Sequence, residues 1–136
     1  MEPTESLAYF IADSRHDIPA WDSYFAANNW IRSGLPDLDQ SGPQLTIDGG
    51  EFTTVEDIKG EYVENTFVKV SLWFEKPANS KDELDEAKAI SANMMQFLHE
   101  QITPEGIRIE GQGRDVRTDL ETGLGRIIMS FRLMEV

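Results

Sequence analysis

The segment from Arg126 to the end of the chain limits the fold more than any other stretch. Its residues alternate between apolar and polar, with Ile127, Met129, Phe131 and Leu133 on one side and Ser130 and Arg132 among those on the other. This period of two is typical of a strand in a sheet that buries one face. Because we expect the chain to end inside its own sheet, and 136 residues fit one domain, the sequence predicts a single compact domain over residues 1–136.

A second strand and a long helix stand out before that segment. Residues 66–75 alternate around Val68, Val70, Leu72 and Phe74, and Pro77 ends the pattern. Ser80 and Glu83 form a capping-box pattern. The helix that it predicts runs to about Gln101 and carries an apolar stripe.

The remaining helices and strands are predicted by weaker sequence patterns. We predict a helix capped by Thr4, a second helix with Pro19 in its first turn, and short strands at 44–48 and 107–110. Residues 33–43 read as a loop, and 111–125 as a polar connection with glycines at its ends. This order predicts an α+β fold, in which one long helix and N-terminal helices pack on a mainly antiparallel sheet.

The net charge of the chain limits the classes of partner that it can bind. The chain has 12 Lys and Arg against 25 Asp and Glu, a formal net charge of −13. A surface of this kind repels phosphates and anionic lipids, and no strong local basic patch is visible in the sequence. The N-terminus lacks a signal-peptide pattern and no apolar run is long enough to cross a bilayer. We therefore predict a soluble protein that binds neither membrane nor specific nucleic acid.

Nothing in the sequence predicts a reaction centre or a cofactor. There is no cysteine, and His16 and His99 do not form a metal-spaced cluster. We expect His99 to lie in the last turn of the long helix, where a partly protonated imidazole complements the helix dipole. Residues 37–42 resemble the start of a calcium loop, with Asp37, Asp39 and Ser41 as a weak candidate cation site. Since the rest of that pattern is missing, an ordinary acidic turn is favoured.

The aromatic residues predict packing rather than a ligand platform, with one exception. Trp73 lies opposite the Val68–Phe74 apolar face, on the same side as Phe67. A sheet with apolar residues on both faces is covered on both faces. Two covers are open at this stage, a helix of the chain itself or another subunit.

The strand at 66–74, the helix that follows Ser80 and the terminal strand together resemble tail terminators of tailed phages, also described as minor capsid or head–tail joining proteins. The resemblance spans about residues 5–136 in the order of elements, and the chain departs from it in an insertion at 21–43. It implies a non-enzymatic subunit of a virion ring, commonly a hexamer. Such a ring is assembled in the host cytoplasm, caps the tail tube, and meets the connector or neck proteins of the head while DNA passes through it.

The resemblance also suggests which residues meet neighbouring subunits. Phe67 and Trp73 would supply apolar sheet surface, and the predicted 111–125 loop would supply charges that pair across an interface between unlike surfaces. Those charges are Arg114, Asp115, Arg117, Asp119 and Glu121. Three alternatives stay open: a neck or head-completion protein, a small ligand-binding α+β module, and an enzyme that works with carboxylates alone.

Overall fold

The computed structural model of the chain describes residues 2–26, 29–58, 61–75, 81–118 and 123–135, with 49–58, 61–64 and 118 described by their backbone. The helices are α1 (Pro3–Ser14), α2 (Pro19–Tyr24) and α3 (Lys81–Leu98), with a 3₁₀ turn at Arg15–Asp17. The strands are β1 (Ile31–Ser33), β2 (Gln44–Ile58), β3 (Glu61–Phe74), β4 (Ile107–Thr118) and β5 (Gly125–Glu135).

The strands form one sheet in the order β1-β2-β3-β5-β4. Every neighbouring pair is antiparallel except β1 with β2, which is parallel. The terminal strand β5 therefore lies inside the sheet, between β3 and β4, as its long apolar alternation predicts. The α+β fold class with a mainly antiparallel sheet and a long helix is confirmed.

The main core lies between the sheet and the helices α1 and α3. Alternate residues of β3 and β5 point into it, because successive side chains of a strand point to opposite faces. Leu7, Ile11, Met94 and Leu98 supply the helical side, and all four are fully buried. They pack on Val68, Val70, Leu72, Phe74, Ile127, Met129, Phe131 and Leu133.

The structure tests the predicted ends of the three helices. Pro3 occupies the first turn of α1, Glu2 is its N-cap residue, and no side chain caps it. The predicted Thr4 cap is therefore wrong, because Thr4 already lies inside a helix that begins at Pro3, a residue that needs no N–H partner there. Pro19 does begin α2. The helix α3 ends at Leu98, three residues before the predicted Gln101, and its predicted capping residue Ser80 lies outside the described residues.

Two strands are much longer than their sequences predict. The predicted strands at 44–48 and 107–110 continue through glycines as β2 and β4, and the pairing register shifts at Gly49/Phe52 and at Gly111/Gly113. Such a bulge lets a strand absorb an extra residue without ending. The prediction that 111–125 is a connection is wrong for residues 111–118.

One glycine is required by a close approach. Gly125 lies opposite Phe74 in the β3–β5 pair, and a Cβ added to it would meet the Phe74 ring at 2.3 Å. The ring thus covers the glycine where β5 begins. None of the helices in the described part of the chain is both long and apolar enough to cross a membrane.

Candidate assembly surfaces

The sheet face turned away from α1 and α3, here called the open face, carries its own small cluster around Trp73. The indole Nε1 of Trp73 donates to Thr46 Oγ1 at 2.8 Å. The Arg126 guanidinium lies over the indole, 4.6 Å from the ring centroid, and its Nε donates to Ser71 Oγ at 3.1 Å. Cross-strand pairing dictates the cluster, because Trp73 faces Arg126 on β5 and Thr46 faces Ser71 on β3.

Residues of its own sheet cover Trp73. The Trp73 side chain is only 2% exposed within the single chain, and no helix among the described elements lies on that face. Gln44, which faces Trp73 from β2, exchanges hydrogen bonds with the backbone of Asp37. The β1–β2 connection is therefore held against this end of the open face, and Trp73 offers no surface to a partner in this conformation.

Further along the open face the side chains are polar and half exposed. Arg132 and Glu110 face each other across β5 and β4, and their ion pair spans 2.5 Å. The hydrogen bond from Arg132, then its charge, holds the pKa of Glu110 below its usual range. Phe67 lies next to Arg132 on β3 and is 36% exposed, and Lys69 beyond it is exposed. Of the two predicted aromatic interface residues, only Phe67 is accessible.

The predicted charged loop is an edge strand instead. Arg114, Asp115 and Arg117 lie in β4, at one end of the strand order. Arg114 turns towards α3, where it donates to Lys88 O at 2.9 Å and to Ser91 Oγ at 2.7 Å. Arg117 pairs with Asp115 at 2.7 Å. These three side chains remain exposed although they have partners within the chain, and Asp119 and Glu121 lie outside the described residues.

The outer edge of β4 is covered along its first half only. Ile107 and Ile109 exchange backbone hydrogen bonds with Gln101 and with neighbouring residues of the 99–103 segment. At the bulge, Gly111 N donates to His99 Nδ1 at 3.0 Å. From 112 to 118, no backbone hydrogen bond to this outer edge occurs within the described residues. This short stretch is an open strand edge.

The same contact gives His99 a role that the sequence does not predict. The residue directly follows Leu98, the last residue of α3, and its Nδ1 accepts a hydrogen bond from the Gly111 backbone N–H. The imidazole therefore secures the β4 bulge against the end of the helix. Its interaction with the helix dipole stays a prediction.

The candidate cation loop is organised as a turn. Asp37 Oδ1 accepts from Asp39 N at 3.0 Å, and Asp37 Oδ2 lies 3.7 Å from Arg32. The Asp37 carboxylate thus serves an Asx turn and an ion pair. Ser41 is exposed, and its hydroxyl adds no negative charge to the loop. Across the residues that the structure describes, no group of three or more His, Cys, Asp or Glu is placed to hold a metal ion.

Two grooves test the ligand-binding alternative. One, of about 240 Å³, lies between α1 and β1 and is lined mainly by apolar side chains, Tyr9 and Ile31 among them. The other, of about 230 Å³, lies beside Tyr24, where burial above all, then Glu86 and Glu83, raises the pKa of the phenol. Drug-sized ligands occupy pockets of roughly 300–1,000 Å³. Both grooves are smaller.

Comparisons with known proteins bear on the fold. Neither a protein-family model nor a curated protein matches the chain. Among solved structures, it is similar to a chain of the virion of a native gene transfer agent particle, with 14% sequence identity and a TM-score of 0.67. The match covers 95% of this chain and 92% of that chain. At this identity the likeness establishes a shared fold.

Proposed function

We propose that this protein is a non-enzymatic structural component of a phage-like virion, in which a ring of its subunits caps the tail tube and joins the tail to the head. The observation that carries the proposal is the nearly full-length likeness to a virion chain. The resemblance in element order to tail terminators supports the finer assignment to the tail end. Both point to the same class of particle.

The accessible surfaces suit a subunit that contacts neighbours. The open edge of β4 is the kind of feature that isolated proteins cover and assembled ones use. Phe67 and Val116 are large apolar side chains that remain 36% and 44% exposed. A closed ring joins unlike surfaces of adjacent subunits, so each subunit must present two of them.

The charge suits a ring around DNA. At a net charge of −13, exposed carboxylates in the lumen would repel the phosphates of a passing genome. A lumen of this kind lets DNA slide instead of adhering. Localisation in the tail or neck region of the virion, after assembly in the host cytoplasm, is part of the same proposal.

The experiment is electron microscopy of the purified protein, alone and mixed with tail tubes from the same virus. We expect rings with a central hole, or a density that caps one end of each tube. Tubes grown with the protein should have a uniform length, and tubes grown without it should continue to lengthen. The hexameric state is tested by rotational averaging of the rings.

Two other outcomes would redirect the proposal. Binding to isolated heads but never to tube ends would identify a neck or head-completion protein. Monomers or dimers that ignore both tubes and heads would contradict the virion-ring function. In that event the groove between α1 and β1 becomes the first region to test for a small ligand.

A further inference from the structure

The sheet has two ends, and each leaves part of a strand edge without a backbone partner among the described residues. At one end, β4 is open from 112 to 118, beyond the 99–103 segment that covers its first half. At the other end, β1 covers β2 only at 45–47, so the outer edge of β2 is open from 48 to 58. An exposed row of backbone N–H and C=O groups can pair with a further strand.

On β4, the pairing register identifies which backbone groups face outward. In an antiparallel pair, residues alternately turn their N–H and C=O towards the partner strand and away from it. Ile107 and Ile109 turn theirs away from β5, because they bond the 99–103 segment, and both face odd-numbered residues of β5. Beyond the bulge, the residues that face odd-numbered residues of β5 include Arg114 and Val116. Their N–H and C=O groups therefore point outward.

The side chains of this stretch leave the edge accessible. Charged side chains often guard strand edges, but the Arg114 guanidinium is drawn back to α3 and bonds the helix. Arg117 pairs with Asp115 within the strand. Val116 is apolar and remains exposed. An incoming strand would therefore meet Val116 and outward backbone groups that have no partner among the described residues.

On β2, the same alternation identifies three residues by their backbones. Leu45 turns its backbone outward, since its N–H donates to Trp30 O, and it faces an even-numbered residue of β3. Beyond the shift in register, the residues that face even-numbered residues of β3 are Thr53, Val55 and Asp57. Their N–H and C=O groups point away from β3, on the edge that β1 does not cover.

This part of β2 lies in a two-stranded ribbon that projects beyond the rest of the sheet. The pairing of β3 with β5 ends at Asn65, so residues 61–64 of β3 pair with β2 alone. A two-stranded hairpin by itself is at best marginally stable in water, and a third strand is needed for independent stability. Within the described residues the ribbon has no third strand, so a strand from another chain would stabilise it.

From these two edges we infer that β4 of one subunit pairs with β2 of a second copy, so that one sheet continues from subunit to subunit. The two edges are unlike surfaces, as a closed ring of identical subunits requires. Within one chain β4 and β2 run in opposite directions, so a copy in the same orientation presents its β2 antiparallel to β4. The inference rests on the proposed ring for its closure, while the pairing itself is a property of two copies.

The cover on the first half of β4 limits how the two strands align. The 99–103 segment and its neighbour His99 hold β4 as far as Gly111, and β2 ends at Ile58. A register that sets Val55 opposite Val116 brings the end of β2 beside the bulge. Any deeper overlap would set β2 against the segment that already covers β4. This register therefore gives the longest pairing that the free edge allows.

The same register predicts a stagger between neighbouring subunits. Val116 is level with Leu72 of β3, whereas Val55 is level with Glu64, eight residues along that strand. At about 3.3 Å per residue, the second copy is displaced along the strands by about 26 Å. Such a displacement inclines the strands to the axis of a ring, as the closure of a sheet on itself requires.

The first test is a cross-link, since the chain has no cysteine of its own. In an antiparallel pair that exchanges both hydrogen bonds, the two Cα atoms are about 5.5 Å apart, within the range that a disulfide spans. We expect a mixture of the Val55→Cys and Val116→Cys proteins to form a disulfide-linked 1:1 dimer on a non-reducing gel, much faster than either protein alone. Asp85→Cys, at an exposed position on α3, is the matched control and should not be linked to Val116→Cys.

The second test removes one outward N–H from each edge. Val116→Pro and Val55→Pro leave the hydrogen bonds within the chain intact, and proline is tolerated on strand edges. We expect self-association to weaken by about tenfold or more in analytical ultracentrifugation, because a backbone hydrogen bond between copies is lost. Mixed together, the two variants should form a 1:1 dimer that grows no further, because one intact β2 edge meets one intact β4 edge.

Threonine at the same two positions provides the matched controls. Val116→Thr and Val55→Thr keep the N–H and the β-branched shape, so both should assemble at the wild-type level. Circular dichroism and thermal melting establish that all four variants are folded. The cross-link does not depend on the proline variants and decides the case if either of them fails to fold.

The outcomes separate this inference from the proposed function. Absence of the 55–116 cross-link, or wild-type protein that stays monomeric at every soluble concentration, would overturn the pairing. Self-association that persists while Val116→Pro loses tube capping would assign the β4 edge to the tube protein, and would overturn it as well. Tubes that both proline variants cap normally would retain the function and discard the interface. Cross-linked subunits that never cap tubes would retain the interface and discard the function.

Discussion

The two faces of the same sheet are built on different physical principles. The face under α1 and α3 is a continuous apolar core, in which Val70, Leu72 and Met129 are fully buried. The open face buries Trp73 just as deeply. There, however, burial depends on a hydrogen bond to Thr46 and a stacked Arg126. The first face is stabilised by removing apolar surface from water, and the second by satisfying polar groups at low exposure.

This difference indicates which face of the sheet can contact other proteins. The face under the helices must stay covered, because its apolar side chains would otherwise be exposed to water. A polar face can remain half exposed in the single chain, as Phe67 and the Arg132–Glu110 pair do. The open face can therefore hold its own structure and still offer surface to a neighbour.

The largest expected effect comes from truncating one phenylalanine on each face. Phe131 is 1% exposed in the main core, and Phe67, which lies on the open face, is 36% exposed. We expect Phe131→Ala to lower the free energy of unfolding by about 3–5 kcal/mol, through lost burial and the cavity left behind. Phe67→Ala should cost about 1–2 kcal/mol, because less apolar area is lost. Urea denaturation of both variants gives the difference, and equal costs would mean that the two faces are buried alike.

A smaller effect is expected from the Trp73 cluster. Trp73→Phe keeps the ring but removes the indole N–H that bonds Thr46, and we expect a loss of about 1–2 kcal/mol of stability. Thr46→Val removes the other partner. If the hydrogen bond matters as the structure indicates, the double variant should cost less than the sum of the two single variants in the same denaturation assay. Strict additivity would show that Trp73 contributes through packing alone.

The smallest effect is expected from the Arg132–Glu110 pair. Because Arg132 lowers the pKa of Glu110 in the folded state, the pair adds stability at a pH above the ordinary value of 4.5 and loses it as the pH falls through the lowered folded-state pKa. Glu110→Gln should cost under about 1 kcal/mol at pH 7, since both groups are partly solvated. The difference in melting temperature between variant and wild type should shrink as the pH falls below 4.5, and it should vanish once the pH lies below the lowered folded-state pKa of Glu110. A difference in melting temperature that does not change with pH would exclude ionisation of Glu110 as its cause.

Strands and helices were predictable wherever apolar residues recur at a regular spacing along the chain. The alternation in β3 and β5 and the apolar stripe of α3 follow from local geometry, so their existence did not depend on the rest of the molecule. Their ends were less predictable. The helix α1 begins at Pro3 and not after Thr4, because a proline and a threonine offer competing start signals one residue apart.

The glycine-containing strands were the main error of the sequence analysis. Gly111 and Gly113 read locally as a bend, yet β4 passes through them as a bulge and continues to Thr118. The neighbouring strand β5 supplies the hydrogen bonds that hold the bulge in the sheet, and His99 supplies another from outside it. A local pattern carries no information about such distant partners.

The candidate interface residues were partly recoverable. The sequence placed Phe67 and Trp73 on the same face, and the structure agrees, but it exposes Phe67 and buries Trp73. Arg126, which covers the indole, lies 53 positions away along the chain and could be identified only from the register. The interface roles of Arg114, Asp115 and Arg117 remain predictions.

The sequence by itself determined the class of the fold, because hydrophobic periodicity fixes which segments become strands and helices and which face each one buries. It also determined the acidic charge balance, from which we predict that the chain does not bind nucleic acid specifically. The tertiary structure alone decided which residues share a face across strands. Register joins positions far apart in the chain, and it is this pairing that places Arg126 against Trp73 and brings Arg132 to Glu110.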